Sequence, residues 1–213
     1  EPFCGGCNMI DHIKCENRFA YDKNKYLIAL FKAIQENIPL YDKVSKELYD
    51  EVRKDYQCQT QKYKDWQIGN VGFLASFNGR FFDGGYAKPT IEKHPNGDKL
   101  RDYYQESKRN IFKQSDKLKD VHFQCADYLS LNVSNALIYC DPPYAKTKQF
   151  QNATNFDYDV FWDWVREMSK NNIVLVSELD APSDFSVVWE QDILRSIKAK
   201  EKTYATEKLF KLS

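Results

Sequence analysis

The sequence predicts an α/β chain: an open, mostly parallel sheet with helices on both faces, closed by an antiparallel hairpin and interrupted by a small insertion. Three observations predict it. Strand-like and helix-like stretches alternate along most of the 213 residues. Acids stand at the tips of successive strand-like runs, at Asp22, Asp127 and Asp141, and open α/β sheets hold their ligands in the crevice outside the carboxyl ends of the strands. Between residues 39 and 98 the texture turns charged, Tyr-rich and Gly-rich. The expected division is therefore one domain of residues 1–38 and 99–213, with an insertion of residues 39–98.

Composition narrows the function classes. The 31 Lys and Arg balance 31 Asp and Glu, so no global positive field marks a nucleic-acid partner, and such a partner would need a local basic face. Aromatic residues make up 15%, with 14 Tyr and 14 Phe, which suits stacking on bases and a Tyr-rich core equally. Cys4-x-x-Cys7 resembles half a zinc site or a redox pair, but no second Cys or His pair stands at ligand spacing, so no metal is expected. With no signal peptide and no apolar run long enough to span a bilayer, the expectation is a reducing cytoplasm and no membrane partner.

Taken in order, Glu1 to Ile10 reads as the end of a strand running into a tight turn, where Gly5 and Gly6 let the backbone come close to a ligand. Arg18 to Asn24 is a short strand closed by Asp22. That acid, roughly 20 residues past the glycine turn, is placed to accept from both hydroxyls of a ribose, which says nucleoside without saying which one. From Lys25 to Asn37, Tyr26, Leu27, Leu30, Phe31 and Ile34 fall on one helical face, and Pro39 ends the run. Tyr41 to Lys64 has weak helical periodicity.

Gly69 to Pro89 interleaves aromatic residues with glycine, and Asn78-Gly79 predicts a two-residue hairpin with Phe-bearing strands on either side. Arg80 at its tip, with Lys88 and Lys93 beyond, suits a groove or a row of phosphates. Asn78, Arg80 and Lys88 are thus candidate nucleic-acid contacts; a hairpin packing its Phe side chains on the core reads equally well. His94 to Asp98 is a turn. Leu100 to Leu118 is a helix with Tyr103, Tyr104, Ile111 and Phe112 on its buried side, and Val121 to Tyr128 is a strand ending in an acid and an aromatic.

The most informative stretch is Asn135 to Tyr144, an apolar run that stops in Asp141-Pro142-Pro143-Tyr144. Prolines fix φ and carry no N–H, so Pro142 and Pro143 hold an irregular backbone whose carbonyls are acceptors. An ionised Asp141 beside such a carbonyl can take both hydrogens of one NH₂ group while the Tyr144 ring lies on the heterocycle that carries it. The plain alternative is a strand ending in a rigid turn with a half-buried Tyr. Ala145 to Phe156 is a polar segment suited to a lid. Asp157 to Lys170 is an amphipathic helix, Asn172 to Glu178 a buried parallel strand, and Phe185 to Trp189 with Thr203 to Leu212 the closing antiparallel pair.

The Asp141-Pro142-Pro143-Tyr144 turn resembles the [Asp/Asn/Ser]-Pro-Pro-[Tyr/Phe/Trp] signature of the amino-methyltransferases that depend on S-adenosylmethionine, in the form typical of DNA adenine methyltransferases. Glu1-Pro2-Phe3-Cys4-Gly5-Gly6 resembles the cofactor loop of that family, [Asp/Glu]-Pro-Phe-x-Gly-x-Gly, with Cys7 where a further Gly is usual. Residues 39–98 loosely resemble the recognition insertion of Dam-like enzymes, and Glu207-Lys208-Leu209-Phe210 resembles their ending. The order of these features is that of group alpha. The family also has an amino-terminal segment with a Gly-Lys element before the loop, so the expectation is a chain truncated or partly disordered there.

The resemblance implies a Rossmann-like methyltransferase sheet that binds S-adenosylmethionine through Pro2, Phe3, Cys4, Gly5, Gly6, Asp22, Asp127, Tyr128 and Asp141. It implies catalysis by Asp141, Pro142, Pro143 and Tyr144 on the 6-amino group of adenine in double-stranded DNA, by a monomer or weak dimer acting at the nucleoid. The alternatives are a methyltransferase acting on RNA or on a protein glutamine, and a catalytically inactive relative that binds nucleosides or DNA. A nicotinamide oxidoreductase has only Gly5, Gly6 and Asp22 in its favour.

Overall fold

The computed structural model describes residues 1–93, 97–143, 156–198 and 201–213, with the backbone alone for 193–198 and 201–205. The chain forms two compact units, Gly5–Cys125 and Glu1–Cys4 with Ala126–Ser213.

In the first unit the order is β1 (Arg18–Asp22), α1 (Lys25–Gln35), α2 (Lys46–Cys58), α3 (Asp65–Leu74), β2 (Thr90–Glu92), β3 (Lys99–Arg101), α4 (Tyr103–Leu118) and β4 (Val121–Cys125). Strands β1 and β4 pair in parallel, with Asp22 opposite Cys125. The chain turns from β1 into α1 at Asn24, whose side chain accepts from the N–H of Tyr26, a donor a helix start would otherwise leave unpaired, and shares that of Leu27 with the Asn24 carbonyl. The apolar face of α1 then divides its labour. Phe31 lies flat on Phe123 of β4, rings 4.8 Å apart, while Tyr26, Leu30 and Ile34 join Tyr49, Val52, Ile68, Val71 and Tyr104 in the helical core. Helices α1 and α3 approach so closely that a β-carbon on Gly69 would lie 2.1 Å from the Tyr26 carbonyl oxygen. Only glycine fits there.

Three expectations in this unit are corrected. Asn78 and Gly79 do take the left-handed φ values, 55° and 65°, that a two-residue hairpin turn demands. Their flanks, however, are not strands. Residues 65–74 are helical because Ile68, Val71 and Leu74 repeat at helical spacing and bury against α1 and α2, and Phe77–Gly79 is a single 3₁₀ turn. The remaining antiparallel contact is one bridge between Ser76 and Tyr86. The phenylalanines pack inward, Phe81 and Phe82 against Tyr26 and Tyr56.

The hairpin of this unit is instead β2–β3, in which Ile91 faces Leu100, so residues 99–101 are strand and α4 starts after Asp102, its N-cap. The buried side of α4 is also narrower than expected. Tyr104, Ile111 and Leu118 repeat every seven residues along one line of the helix, Tyr104 and Leu118 buried and Ile111 against the core, whereas Phe112, one position off that line, is 41% exposed. His94, Pro95 and Asn96 lie outside the described residues.

The second unit holds β5 (Leu137–Cys140), α5 (Tyr158–Ser169), β6 (Ile173–Glu178), β7 (Phe185–Lys198) and β8 (Glu201–Leu212). Its sheet runs β5-β6-β8-β7. Strands β5 and β6 are parallel, with Cys140 opposite Val176, and β8 is antiparallel to both β6 and β7. Among the described residues, parallel pairing is thus confined to β1–β4 and β5–β6, and it does not dominate as expected. The closing hairpin is longer than the sequence suggests and takes a register shift between Val187 and Trp189. Helix α5, capped by Asp157, lays Phe161, Trp162, Val165 and Met168 on Ile138, Cys140, Val174, Val176 and Phe210. Phe161 and Val165 are fully buried, each stabilising by about 1.5–3 kcal/mol over an exposed side chain. Among the described residues no helix is long and apolar enough to cross a membrane.

Candidate active site

The sequence-predicted residues fall in both units. In Gly5–Cys125, β1 delivers Asp22 to its carboxyl end. One Asp22 oxygen accepts from the N–H of Asn24 at 2.8 Å and the other from the N–H of Gly5 at 3.3 Å, so this acid ties the glycine turn to the strand tip. A carboxylate offers about four acceptor sites, and these two bonds leave the rest for a ligand. Burial pushes the Asp22 carboxyl above its ordinary value, and the two backbone N–H groups offset part of that rise.

Gly5 has φ of 43°, and a β-carbon there would meet nothing among the described residues within 4 Å. Among these residues the turn is open on that side. Cys7 also lies in the left-handed region, φ 57°, and its side chain is completely buried. Left-handed backbone is uncommon for any residue with a β-carbon.

In the second unit, Pro2 and Cys4 are buried, and the Phe3 ring packs against Tyr128 at 5.2 Å and against Phe156 and Phe161 at 5.8 Å. Tyr128 is 8% exposed and also meets Trp164 edge-on. Its ring is therefore part of an aromatic wall, and burial pushes its phenol up. Asp127 caps the short turn Tyr128–Ser130, one side-chain oxygen accepting from the N–H of Leu129 at 3.0 Å.

At the end of β5 the chain changes character within three residues. Cys140 is fully buried, and burial drives its thiol pKa upward; Asp141 is exposed; Pro142 is buried again. The alternation continues that of the strand, with the Cys140 side directed at α5 and Asp141 on the opposite side. Burial, followed by the charge of Asp141, pushes the neighbouring Tyr139 phenol up to about 12. The Pro143 carbonyl accepts from the hydroxyl of Tyr158 on the first turn of α5. Tyr144 and the proposed lid, up to Thr154 and Asn155, lie outside the described residues.

Sequence reasoning missed Tyr158. Its only signal was an aromatic residue just inside a capped helix start, which points equally to the core.

Of the candidate DNA contacts, Asn78 and Lys88 are exposed, and Arg80 is half-buried and paired with Asp83. Ser76 holds this loop from below, bonded to the Tyr49 hydroxyl at 3.0 Å and accepting from the Phe82 N–H at 3.1 Å. The β2–β3 hairpin is an additional exposed feature. Arg101 is clamped by Glu92 and Glu106, each at 3.0 Å, over the Tyr103 ring, while Ile91 and Leu100 on the other face are 68% and 66% exposed.

A family model described as D12 class N6 adenine-specific DNA methyltransferase matches residues 1–171, about four fifths of the chain. Two proteins from Vibrio cholerae serotype O1 strains, each described as DNA adenine methylase, are 26% identical over 168 residues, which is 73% of this chain and 59% of theirs. The chain thus spans less than two thirds of the length of these relatives. The family match runs through the glycine turn, Asp22, Asp127 and the Asp-Pro-Pro run, and it shows that the chain belongs to the D12 class N6 adenine-specific DNA methyltransferase family.

Proposed function

We propose that the protein transfers a methyl group from S-adenosylmethionine to the exocyclic 6-amino group of adenine in double-stranded DNA, with the target base extruded from the duplex. The observation that carries this reading is the end of β5, where an exposed Asp141 precedes a buried Pro142 and a Pro143 whose carbonyl Tyr158 holds. S-adenosylmethionine, when bound, supplies an electrophilic methyl group on sulfur. The residues present suit its nucleoside: Asp22 retains acceptor capacity for the ribose hydroxyls, a β-carbon on Gly5 would meet none of the described residues, and Asp127 is an acceptor suited to the adenine amino group. Pro2, Phe3, Cys4, Gly6 and Tyr128 complete the proposed cofactor residues.

The target nitrogen is a poor nucleophile because its lone pair is delocalised into the purine ring. Asp141 and the Pro142 carbonyl, both acceptors without a hydrogen to give, would take its two hydrogens and favour the pyramidal nitrogen that in-line attack needs. As the new C–N bond forms, the bond from methyl to sulfur would break with its electron pair left on sulfur as a neutral thioether, and the nitrogen proton, acidic only at that stage, would pass to Asp141, so a strong base is not required. Tyr144 would stack on the extruded base, and extrusion is obligatory because the amino group is unreachable inside the duplex. Pro143, held by Tyr158, keeps this backbone from turning away.

The same reading assigns residues 1–38 and 99–213 to a Rossmann-like catalytic domain and residues 39–98 to target recognition, with Asn78, Arg80 and Lys88 on DNA. It places the enzyme in the cytoplasm as a monomer or weak dimer.

The test uses full-length protein, S-adenosylmethionine labelled in its methyl group, and genomic DNA from a host without adenine methylation. Label recovered as N6-methyladenine in duplex DNA is the expected result. Absence of label from DNA, or label found only in RNA or protein offered in parallel, overturns the proposal.

A further inference from the structure

We infer that Gln114, on α4, is a positioning residue for the cofactor loop. The inference rests on the reading of Gly5 and Gly6 as that loop. The side-chain nitrogen of Gln114 donates to the carbonyl of Gly6 at 3.1 Å and to that of Cys7 at 3.0 Å. Peptide carbonyls only accept, so the nitrogen end of the amide must face them, and its two hydrogens match the two oxygens one for one. One turn further along the same helix, Lys117 pairs with Asp11 at 3.4 Å, and the Asp11 N–H also donates to the Cys7 carbonyl. Helix α4 therefore grips the chain just after the glycine turn at two successive points.

The grip falls where the backbone is least able to hold itself. Gly5 and Cys7 both have positive φ, and Cys7 carries a β-carbon that such backbone disfavours. Its carbonyl orientation depends on the peptide planes on either side of a residue in an unfavourable conformation. Fixing the Gly6 and Cys7 carbonyls fixes those planes. They thereby set the direction in which the chain leaves Gly5, whose N–H is bonded to Asp22, the acid proposed to take the ribose. Gln114 is suited to set how tightly the methyl donor is held, with no part in the transfer itself.

The experiment measures binding of S-adenosylmethionine by calorimetry, and turnover at saturating donor, in full-length wild-type protein and three variants. Gln114→Met keeps the length and loses the donors; it is expected to weaken donor binding by about tenfold, the scale of one or two hydrogen bonds, with saturated turnover within about twofold of wild type. Gln114→Lys keeps a donor and is expected to recover most of the affinity. Gln114→Glu sets an acceptor against two carbonyls at neutral pH, and its affinity is expected to rise as the pH falls and the protonated carboxyl becomes a donor again.

Wild-type affinity in Gln114→Met overturns the inference. So does a loss that Gln114→Lys fails to rescue and that shows no pH dependence in Gln114→Glu, since that pattern marks a merely structural role. Failure of the wild type itself to bind the donor overturns the reading of the loop, a result distinct from the other two.

Discussion

Tyr158 donates its phenolic hydrogen to the carbonyl oxygen of Pro143, which joins the first turn of α5 to the Asp-Pro-Pro run at the end of β5. The same ring packs edge-on against Phe156, centroids 5.0 Å apart. Tyr158→Phe removes the hydrogen bond and keeps the ring. It is expected to lower saturated turnover about three- to tenfold, the scale of one hydrogen bond, while the dissociation constant for S-adenosylmethionine stays unchanged. Steady-state kinetics alongside direct binding will separate the two. Equal losses in both would mean that Tyr158 supports the unit as a whole.

Asp141→Ala removes an exposed side chain. It is expected to reduce methyl transfer by a factor on the order of 10² to 10⁴, the usual contribution of a positioned base, with donor binding kept within a fewfold. Near-normal single-turnover rates in this variant would remove Asp141 from the chemistry.

Asp22 gives a pH signature. Burial raises its carboxyl above the ordinary value of about 3.9, so the folded protein holds this proton more tightly than the unfolded chain does. The stability it contributes is fully present below the unfolded value and is lost as the pH rises through the folded one. The melting temperature of wild type minus that of Asp22→Asn should therefore shrink as the pH climbs through the window just above 3.9. A difference that grows with pH would contradict the direction of the shift.

Gly69→Ala sets a small gain against a large loss. Alanine favours a helix by up to about 1 kcal/mol over glycine, yet its β-carbon would sit 2.1 Å from the Tyr26 carbonyl oxygen. Separating two packed helices costs about 1–3 kcal/mol, so the clash wins. Chemical denaturation should show a lower midpoint with an unchanged slope.

Arg101→Ala frees the β2–β3 hairpin from Glu92 and Glu106. If this hairpin works with the recognition residues, the variant should bind duplex DNA more weakly and S-adenosylmethionine as before, by fluorescence anisotropy and calorimetry respectively. Unchanged DNA affinity would assign the clamp to folding alone.

How legible these features were depended on where their information lay. Helix α1 could be read because Tyr26, Leu27, Leu30, Phe31 and Ile34 repeat at helical spacing and Asn24 is a ready cap. Strands β5 and β6 could be read because Leu137 to Cys140 and Ile173 to Val176 are continuous apolar runs. The hairpin at Asn78-Gly79 misled because turn chemistry constrains only two φ angles. Whether strands flank the turn depends on what residues 65–74 pack against: Gly69 permits the close approach of α3 to α1, and Gly72 makes room for the Phe81 ring, contacts that a strand reading misses. Tyr158 and Gln114 were invisible for a similar reason: each bonds a carbonyl 15 or more residues away, and no local pattern marks a partner so distant.

By itself the sequence determined the local chemistry: a glycine turn, acids at strand tips, and an Asp-Pro-Pro corner stiffened by two rings. These are properties of covalent structure and side-chain type, and they hold wherever the chain goes. Tertiary structure alone decided which carbonyls are gripped by Tyr158 and Gln114, that Phe3 and Tyr128 close into one aromatic wall, and that the exposed hairpin is β2–β3. Such outcomes follow from competition among distant surfaces for burial and for hydrogen-bond partners, a competition settled only when the chain has packed.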